Sequence, residues 1–135
     1  SYAAGLGAKA AAPQRTVISL QGDGGFGMTM GEMMTAVMHN INSIAVVMDN
    51  GTWGSEIAYQ RDFYNNRYIG AHVHSPRYDE VMKLCGGNGW YVTDAGGTAD
   101  AVRQAMAGGK PAVIHVKVDP EAVISFRKDA LKKRG

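Results

Sequence analysis

Two polar clusters in the sequence combine residue types that can bind a metal ion and a phosphate group. The first is Gly22-Asp23-Gly24-Gly25 and the second is Asp49-Asn50-Gly51, with Asp23 and Asn50 lying 27 positions apart. A carboxylate and an amide oxygen, with a main-chain carbonyl from the turn after Asn50, are the oxygen ligands that Mg²⁺ prefers. Backbone N–H groups of a glycine turn that opens a helix can bind a diphosphate. The clusters therefore predict a site for Mg²⁺ and a diphosphate-containing ligand.

The glycine turn also fits a second kind of ligand. Gly22, Gly24 and Gly27 match the pattern G-x-G-x-x-G of dinucleotide-binding folds, in which an acid after the next strand, here Asp49, binds ribose hydroxyls. Asp23 argues against this reading, because its carboxylate would face the negative pyrophosphate unless a cation lay between them. An NAD-binding Rossmann domain stays as an alternative that Asp23 disfavours.

The hydrophobic pattern places both clusters at the ends of strands. Short β-branched or apolar runs predict strands, and apolar residues at helical spacing predict helices. The predicted strands are 16–21, 44–48, 90–93 and 112–118, the predicted helices are 2–12, 29–41, 78–84 and 98–107, and 50–70 is predicted to be a long loop. Strands that alternate with helices predict an α/β fold, a three-layer, doubly wound, mainly parallel sheet with helices on both faces. Ligands of such sheets bind at the carboxyl ends of the strands.

Composition restricts the class of protein. The 135 residues suit a single domain, and Cys85 is the one cysteine, so an internal disulfide is impossible. The longest apolar run in the middle of the chain, 44–48, is far too short to span a bilayer, and the opening residues do not resemble a signal peptide. We therefore expect a cytoplasmic globular domain.

The net charge of +2 is unevenly distributed. The segment 127–134 carries five basic residues and one acid, so the remainder of the chain has a net charge of −2. A basic body that could bind nucleic acid is therefore absent from the sequence. We expect a cofactor-binding domain over residues 1–125, followed by a basic C-terminal tail at 126–135.

The motifs resemble those of the thiamin-diphosphate-dependent enzymes. GDG is followed after 25 residues by Asn50, and the lead-in GLGAKAAAP precedes it, so that the resemblance covers residues 3 to about 133. It implies the diphosphate-binding domain of such enzymes, with Mg²⁺ bound by Asp23, Asn50 and the main-chain oxygen of Thr52. Asp49 departs from the pattern, since many members carry a second asparagine there. The cofactor-binding residues that the resemblance implies are Gly22, Asp23, Gly24, Gly25, Asn50, Thr52, Trp53 and Gly54.

Within this family, three segments are most similar to the sulfoacetaldehyde acetyltransferases. The segments are GDGGFGMTMGEMMTAVMHNI, DNGTWGSEIAYQRDFYNNRYIG and FRKDALKK. The similarity implies conversion of sulfoacetaldehyde and phosphate into acetyl phosphate and sulfite. An acetolactate-synthase-like carboligase or decarboxylase shares the scaffold and is an alternative, as is an accessory subunit without catalysis.

The resemblance also implies missing parts. The family's activating glutamate belongs to a pyrimidine-binding domain, usually of a second subunit, and this chain does not match that domain. We therefore expect no turnover from the chain in isolation, a requirement for a pyrimidine-binding domain or subunit, and a homo-oligomer such as a dimer or tetramer.

A few other residues could do chemistry. An arginine of the long loop, Arg61 or Arg67, or one of the tail could bind a sulfonate or phosphate group. His72 and His74 form an H-x-H pair, but a third cysteine or histidine ligand for zinc is not nearby in the sequence. Packing or surface roles are expected for His39, His115, a buried and inert Cys85, and the methionines between 28 and 38, which suit a core or a subunit interface.

Overall fold

Strands and helices alternate along the chain, as the hydrophobic pattern predicts. The computed structural model describes residues 2–123, so the basic tail predicted at 126–135 lies outside the described residues. The strands are β1 (Ile18–Gly22), β2 (Ile44–Asp49), β3 (Asn88–Val92) and β4 (Ala112–Lys117), and the helices are α1 (Tyr2–Ala11), α2 (Asp23–Gly27), α3 (Glu32–Met38), α4 (Gly54–Phe63), α5 (Tyr78–Leu84) and α6 (Ala95–Gly108).

The four strands form one parallel sheet in the order β1-β2-β4-β3. In the β1–β2 pair Gly22 lies opposite Met48, and in the β2–β4 pair Asp49 lies opposite Lys117. Because both pairs are parallel, the residues that follow β1 and β2 emerge at the same edge of the sheet. The register therefore brings the two polar clusters together.

Helices cover both faces of the central strands. On one face, aromatic and methionine side chains of α1, α2, α3 and α5 pack on the sheet; the largest are Tyr2, Phe26, Met33, Tyr78 and Met82. On the other face, Ala101 and Ala105 of α6 pack against Ile44, Val46 and Ile114. Strands buried on both sides read as continuous apolar runs, which is the pattern of β2 and β4. The predicted three-layer α/β fold is confirmed.

The prediction of a loop over 50–70 is wrong in its first half. Helix α4 occupies Gly54–Phe63, and its buried residues are Ile57 and Ala58. A helix with so narrow an apolar stripe has almost no hydrophobic period, so the sequence pattern could not reveal it.

The prediction of one helix over 29–41 is also wrong in its extent. A first helix, α2, begins at Asp23 inside the glycine turn, and the chain turns again before α3 begins at Glu32. At the far end Asn40 adopts a left-handed φ of 52°. Helices commonly end where a residue takes this conformation, so Ile41, the last apolar residue of the predicted helix, belongs to the turn that follows it.

No helix within residues 2–123 combines the length and the apolar content needed to cross a bilayer.

Candidate cofactor site

The two polar clusters meet in a cleft of about 550 Å³ at the carboxyl edge of the sheet. All eight residues that the sequence suggested for cofactor binding line it: Gly22, Asp23, Gly24, Gly25, Asn50, Thr52, Trp53 and Gly54. The sequence patterns did not point to the other lining residues, which are Met48, Ser55, Val118, Asp119 and Ala122. Three of these five residues follow β4, whose place beside β2 is set by the strand order.

Asp23 is a buried carboxylate at the base of the cleft. It is the first residue of α2 and is 1% exposed. Ser75 Oγ donates a hydrogen bond to Asp23 Oδ2 at 2.7 Å, and Tyr78 Oη donates to the main-chain oxygen of Asp23 at 3.0 Å. The ion pairs formed within residues 2–123 do not include Asp23. A buried charge is costly unless a cation compensates it, so this carboxylate is suited to a metal ion.

The second turn is held by two side chains that bond to their own backbone. Asp49 Oδ1 accepts from the N–H of Gly51 at 2.8 Å, and Asn50 Oδ1 accepts from the N–H of Thr52 at 3.0 Å. Gly51 has a φ of 69°, a left-handed conformation that glycine adopts without strain. An amide oxygen has two lone pairs, so Asn50 Oδ1 can accept this bond and also bind a metal ion.

The segment 71–73 supports that turn from outside. Thr52 forms an antiparallel bridge with His72, Trp53 N–H donates to Ala71 O at 2.8 Å, and Val73 N–H donates to Gly51 O at 2.8 Å. Thr52 Oγ1 is buried and has no hydrogen-bond partner within residues 2–123. Since buried hydroxyls normally have partners, this atom marks an unmet polar position beside the cleft.

Trp53 lies over the glycine turn. A Cβ atom added to Gly24 would come within 2.9 Å of the Trp53 ring, whereas one added to Gly25 meets nothing within 4 Å. The indole is 36% exposed and forms one wall of the cleft. Gly24 is therefore required by the close approach of the ring, and not by its backbone angles.

His115 connects to the site, although packing or surface was its predicted role. Its Nδ1 accepts from the N–H of Tyr78 at 3.2 Å, so the proton is on Nε2, which lies 2.9 Å from Asp49 Oδ2. Burial opposes ionisation of Asp49, but hydrogen bonds from His115, Lys117 and Gly51 outweigh it and lower the pKa of this carboxyl. Asp49 is thus buried, and both of its carboxylate oxygens accept hydrogen bonds from the protein. It is therefore not available to bind ribose hydroxyls, which argues against an NAD-binding site.

The sequence held one signal for the role of His115. The residue stands inside the apolar run AVIHV of the last predicted strand. A buried imidazole must find hydrogen-bond partners, so its position alone indicates a polar contact. Ser75 had no comparable signal, because it follows an exposed histidine in an irregular segment.

The other candidates lie away from the cleft. Arg61 pairs with Asp62 at 3.0 Å, and Arg67 lines a separate surface depression of about 270 Å³. The ring of His72 contacts that of Tyr68, with centroids 6.3 Å apart. Cys85 is half-buried at the end of α5, so the expectation of a buried thiol is wrong. Of the methionines between 28 and 38, Met33 is in the core and Met28, Met34 and Met38 are exposed.

The residues present fit a magnesium–diphosphate group better than a metal held by protein side chains alone. Within residues 2–123, there is no group of three or more His, Cys, Asp or Glu side chains that could hold a metal ion. The cleft is lined by two carboxylates, the buried one of Asp23 and the exposed one of Asp119, and by the amide and main-chain oxygens of the second turn. Mg²⁺ is commonly bound by one or two carboxylates together with phosphate oxygens and water, which matches this donor set.

Asp79, next to Tyr78, carries a second buried charge that is fully paired. It is 0% exposed, and Arg77 donates to both of its carboxylate oxygens at 2.8 Å. The Arg77 guanidinium also stacks on Tyr91, 3.8 Å from the ring centroid. Burial opposes ionisation of Asp79, but the hydrogen bonds and charge of Arg77 outweigh it and lower the pKa of this carboxyl.

We predict that Gly24→Ala displaces Trp53 while Gly25→Ala does not. The new methyl group would overlap the indole, so we expect a loss of about 1–3 kcal/mol in the free energy of unfolding and a red shift of Trp53 fluorescence. The measurement uses a Trp90→Phe background, in which Trp53 is the one fluorophore of its type. An unshifted emission maximum in Gly24→Ala would contradict the packing described.

We predict that acid destabilises the chain partly through Asp79. Its pKa is lower in the folded chain than the ordinary value of 3.8, so its stabilising contribution is present above that value and disappears as the pH falls through the lowered folded value. Asp79→Asn should therefore flatten the dependence of the unfolding free energy on pH below about pH 5. Asp100→Asn, at an exposed i,i+3 pair on α6, is the matched control and should leave the slope almost unchanged.

Comparison with known proteins identifies the family. Residues 1–116 match the family model described as thiamine pyrophosphate enzyme, C-terminal TPP binding domain. A sulfoacetaldehyde acetyltransferase of Alcaligenes xylosoxydans xylosoxydans is 40% identical over 132 residues, and that of Castellaniella defragrans is 38% identical over 132 residues. Each alignment covers 95% of this chain and 22% of the relative.

Two further relatives have other activities in their names. The acetolactate synthase large subunit IlvG of Mycobacterium tuberculosis is 38% identical over 122 residues, covering 90% of this chain and 22% of the relative. A solved structure, the thiamine diphosphate-dependent 4-hydroxybenzoylformate decarboxylase of Rhodococcus jostii RHA1, matches with a TM-score of 0.80 and 26% identity over 86% of this chain and 22% of that one. The chain spans about a fifth of the length of these relatives, and it belongs to the thiamin-diphosphate-dependent enzymes as their C-terminal cofactor-binding domain.

Proposed function

We propose that the chain is the cofactor-binding portion of a sulfoacetaldehyde acetyltransferase, which converts sulfoacetaldehyde and phosphate into acetyl phosphate and sulfite. The two relatives with that name, at 40% and 38% identity over 95% of the chain, support this assignment. The chain corresponds to 22% of those relatives, so the activity belongs to a larger protein or assembly, and the isolated chain has no turnover.

The buried carboxylate of Asp23, which forms no ion pair within residues 2–123, is the observation that carries the proposal. It faces a cleft that the Asn50 turn also lines, and a divalent cation bound there compensates its charge. Asp23, Asn50 and the main-chain oxygen of Thr52 hold Mg²⁺, and the backbone N–H groups of Gly24 and Gly25 bind the diphosphate. Thiamin diphosphate, when bound, supplies a nucleophilic carbon for reaction with the aldehyde.

The chain's own residues bind and orient, and they do not carry the proton-transfer step. Asp23 and Asn50 anchor the metal, the glycine turn anchors the diphosphate, and Trp53 shields one side of the cleft from water. Binding of the diphosphate, which is remote from the reacting carbon, orients the cofactor and leaves the reactive end free of protein contacts from this chain. The activating glutamate comes from a pyrimidine-binding domain, usually on a second subunit.

Assembly and location are parts of the same proposal. A cofactor held by two domains needs both of them, so we place the working enzyme in a homo-oligomer, a dimer or a tetramer, whose pyrimidine-binding domains complete each site. A single cysteine, which cannot form an internal disulfide, suits a cytoplasmic location.

An acetolactate-synthase-like activity is the second candidate. The Mycobacterium tuberculosis relative is 38% identical over 90% of the chain, almost the same identity as the acetyltransferases have. Both activities use the same diphosphate site, so the cleft described here does not separate them. The acetyltransferases align over slightly more of the chain, 95% against 90%, and this favours them.

We predict that thiamin diphosphate binds to the full chain in the presence of Mg²⁺ and that Asp23→Ala weakens binding by more than tenfold. The loss follows because the variant lacks the buried carboxylate that we propose as a ligand of the metal. Calorimetric titration with Mg²⁺, and again with EDTA, measures the effect, and Asp100→Ala on exposed α6 is the control for removing one aspartate. Equal affinity with and without metal, or metal-independent binding of NAD, would contradict the site.

We predict that the chain restores an acetyltransferase better than an acetolactate synthase. Two fusions carry this chain in place of the matching C-terminal fifth, one in the Alcaligenes enzyme and one in the Mycobacterium tuberculosis enzyme. The fusion interface and the substrate walls differ between the hosts. We therefore expect the first fusion to keep at least a tenfold larger fraction of its parent's rate, measured as acetyl phosphate and sulfite, than the second fusion keeps, measured as acetolactate. The reverse ratio would assign the chain to the carboligases.

A further inference from the structure

The two turns that line the cleft are joined behind it by buried and partly buried hydrogen bonds. On the side of the first turn, Ser75 Oγ donates to the Asp23 carboxylate at 2.7 Å, and Tyr78 Oη donates to the Asp23 carbonyl at 3.0 Å. Ser75 and Tyr78 are not among the lining residues of the cleft. They therefore contact the ligand-bearing residue from behind and leave its cleft side free.

On the side of the second turn, the same segment continues the connection. Tyr78 N–H donates to His115 Nδ1 at 3.2 Å, His115 Nε2 donates to Asp49 Oδ2 at 2.9 Å, and Gly51 N–H donates to Asp49 Oδ1 at 2.8 Å. The bonds run without a break from Asp23 to the turn that carries Asn50. We call this set, formed by Ser75, Tyr78, His115 and Asp49, the bridge.

The surroundings of the bridge make it rigid. Tyr78 is 2% exposed, and its ring packs against Phe26 at 4.9 Å and against His115 at 5.7 Å between centroids. His115 is 1% exposed. Hydrogen bonds in such an interior cost free energy to leave unmade, so a displacement at one end is resisted along the whole set.

We propose that Ser75, Tyr78 and His115 are positioning residues that hold the Asp23 carboxylate and the Asn50 turn in the relative orientation that one Mg²⁺ requires; this rests on the proposed function. Mg²⁺ demands nearly ideal octahedral geometry, so its affinity depends on the placement of its ligands. Ser75 occupies one carboxylate oxygen of Asp23, which directs the other toward the ion. His115 sets the second turn through Asp49.

The bridge needs His115 as one acceptor and one donor, not as a charge. A glutamine at this position offers an amide oxygen for the Tyr78 N–H and an amide N–H for Asp49, while a phenylalanine keeps the ring volume and offers neither. Ser75→Thr keeps the hydroxyl in the same way, and Ser75→Ala removes it. These pairs separate the loss of a hydrogen bond from the loss of packing.

The test measures half-saturation by Mg²⁺ of the full chain with inorganic pyrophosphate as the probe, followed by Trp53 fluorescence and by calorimetry. We expect Ser75→Ala and His115→Phe each to raise the Mg²⁺ concentration for half-saturation about tenfold, and Ser75→Thr and His115→Gln to stay within about threefold of the unmodified chain. Ser43→Ala is the matched control, since Ser43 is a fully buried serine whose hydroxyl has no partner within residues 2–123.

A ligand-free measurement accompanies the titration. Hydrogen exchange at the Gly51 and Tyr78 amides reports the bridge directly, because both N–H groups donate within it. His115→Phe should speed their exchange about tenfold, and His115→Gln should restore the original rate. A variant that fails to fold is recognised by fast exchange at the β4 amides as well, and the glutamine and threonine variants then decide the question.

The outcomes separate this inference from the function on which it rests. If the unmodified chain does not respond to Mg²⁺ and pyrophosphate, the proposed cofactor site is wrong, and the inference fails with it. If the unmodified chain responds and the alanine and phenylalanine variants respond at the same Mg²⁺ concentrations, the site stands and the bridge has no positioning role. Loss in those variants with rescue by threonine and glutamine supports the bridge.

Discussion

The parallel pairing of β1 with β2 is the constraint on which the site depends. Gly22 lies opposite Met48, so the chain leaves both strands at one edge and at one level. A slip of one residue would turn the side chains of β1 to the other face of the sheet and would withdraw Asp23 from the second turn. Burial on both faces fixes β2, whereas β1 is an edge strand that exposes Ile18 and Leu20, so the position of β1 depends on its backbone pairing with β2.

Three buried carboxylates near this edge differ in how their charge is compensated. Asp79 is paired with Arg77, and Asp49 with His115 and Lys117, and both have lowered pKa values. Asp23 has one hydroxyl donor to its carboxylate and no ion pair within the described residues. Two of these buried carboxylates therefore have a basic partner, and the third has none within the described residues. Such an arrangement is typical of a functional site, where a protein is less stable than it could be because the site must bind a ligand.

Much of this arrangement could be predicted because it is local. The glycine turn and the Asx turn at Asn50 are set by residues adjacent in sequence, and all eight suggested residues line one cleft. Helix α4 could not be predicted, since a helix that buries little more than Ile57 and Ala58 has almost no hydrophobic period. The roles of Ser75 and His115 were equally hidden, because a side chain's partner across the fold leaves no periodic trace.

By itself the sequence determined the alternation of strands and helices, the parallel sheet, and the two polar turns, because burial period and turn chemistry act over a few residues. Only the tertiary structure decided that Tyr78 and His115 stand behind those turns and that Trp53 lies on Gly24. The bonds of the bridge from Ser75, Tyr78 and His115 join residues 37 to 66 positions apart. Such contacts arise from the packing of α5 and β4 against the sheet, which no local pattern encodes.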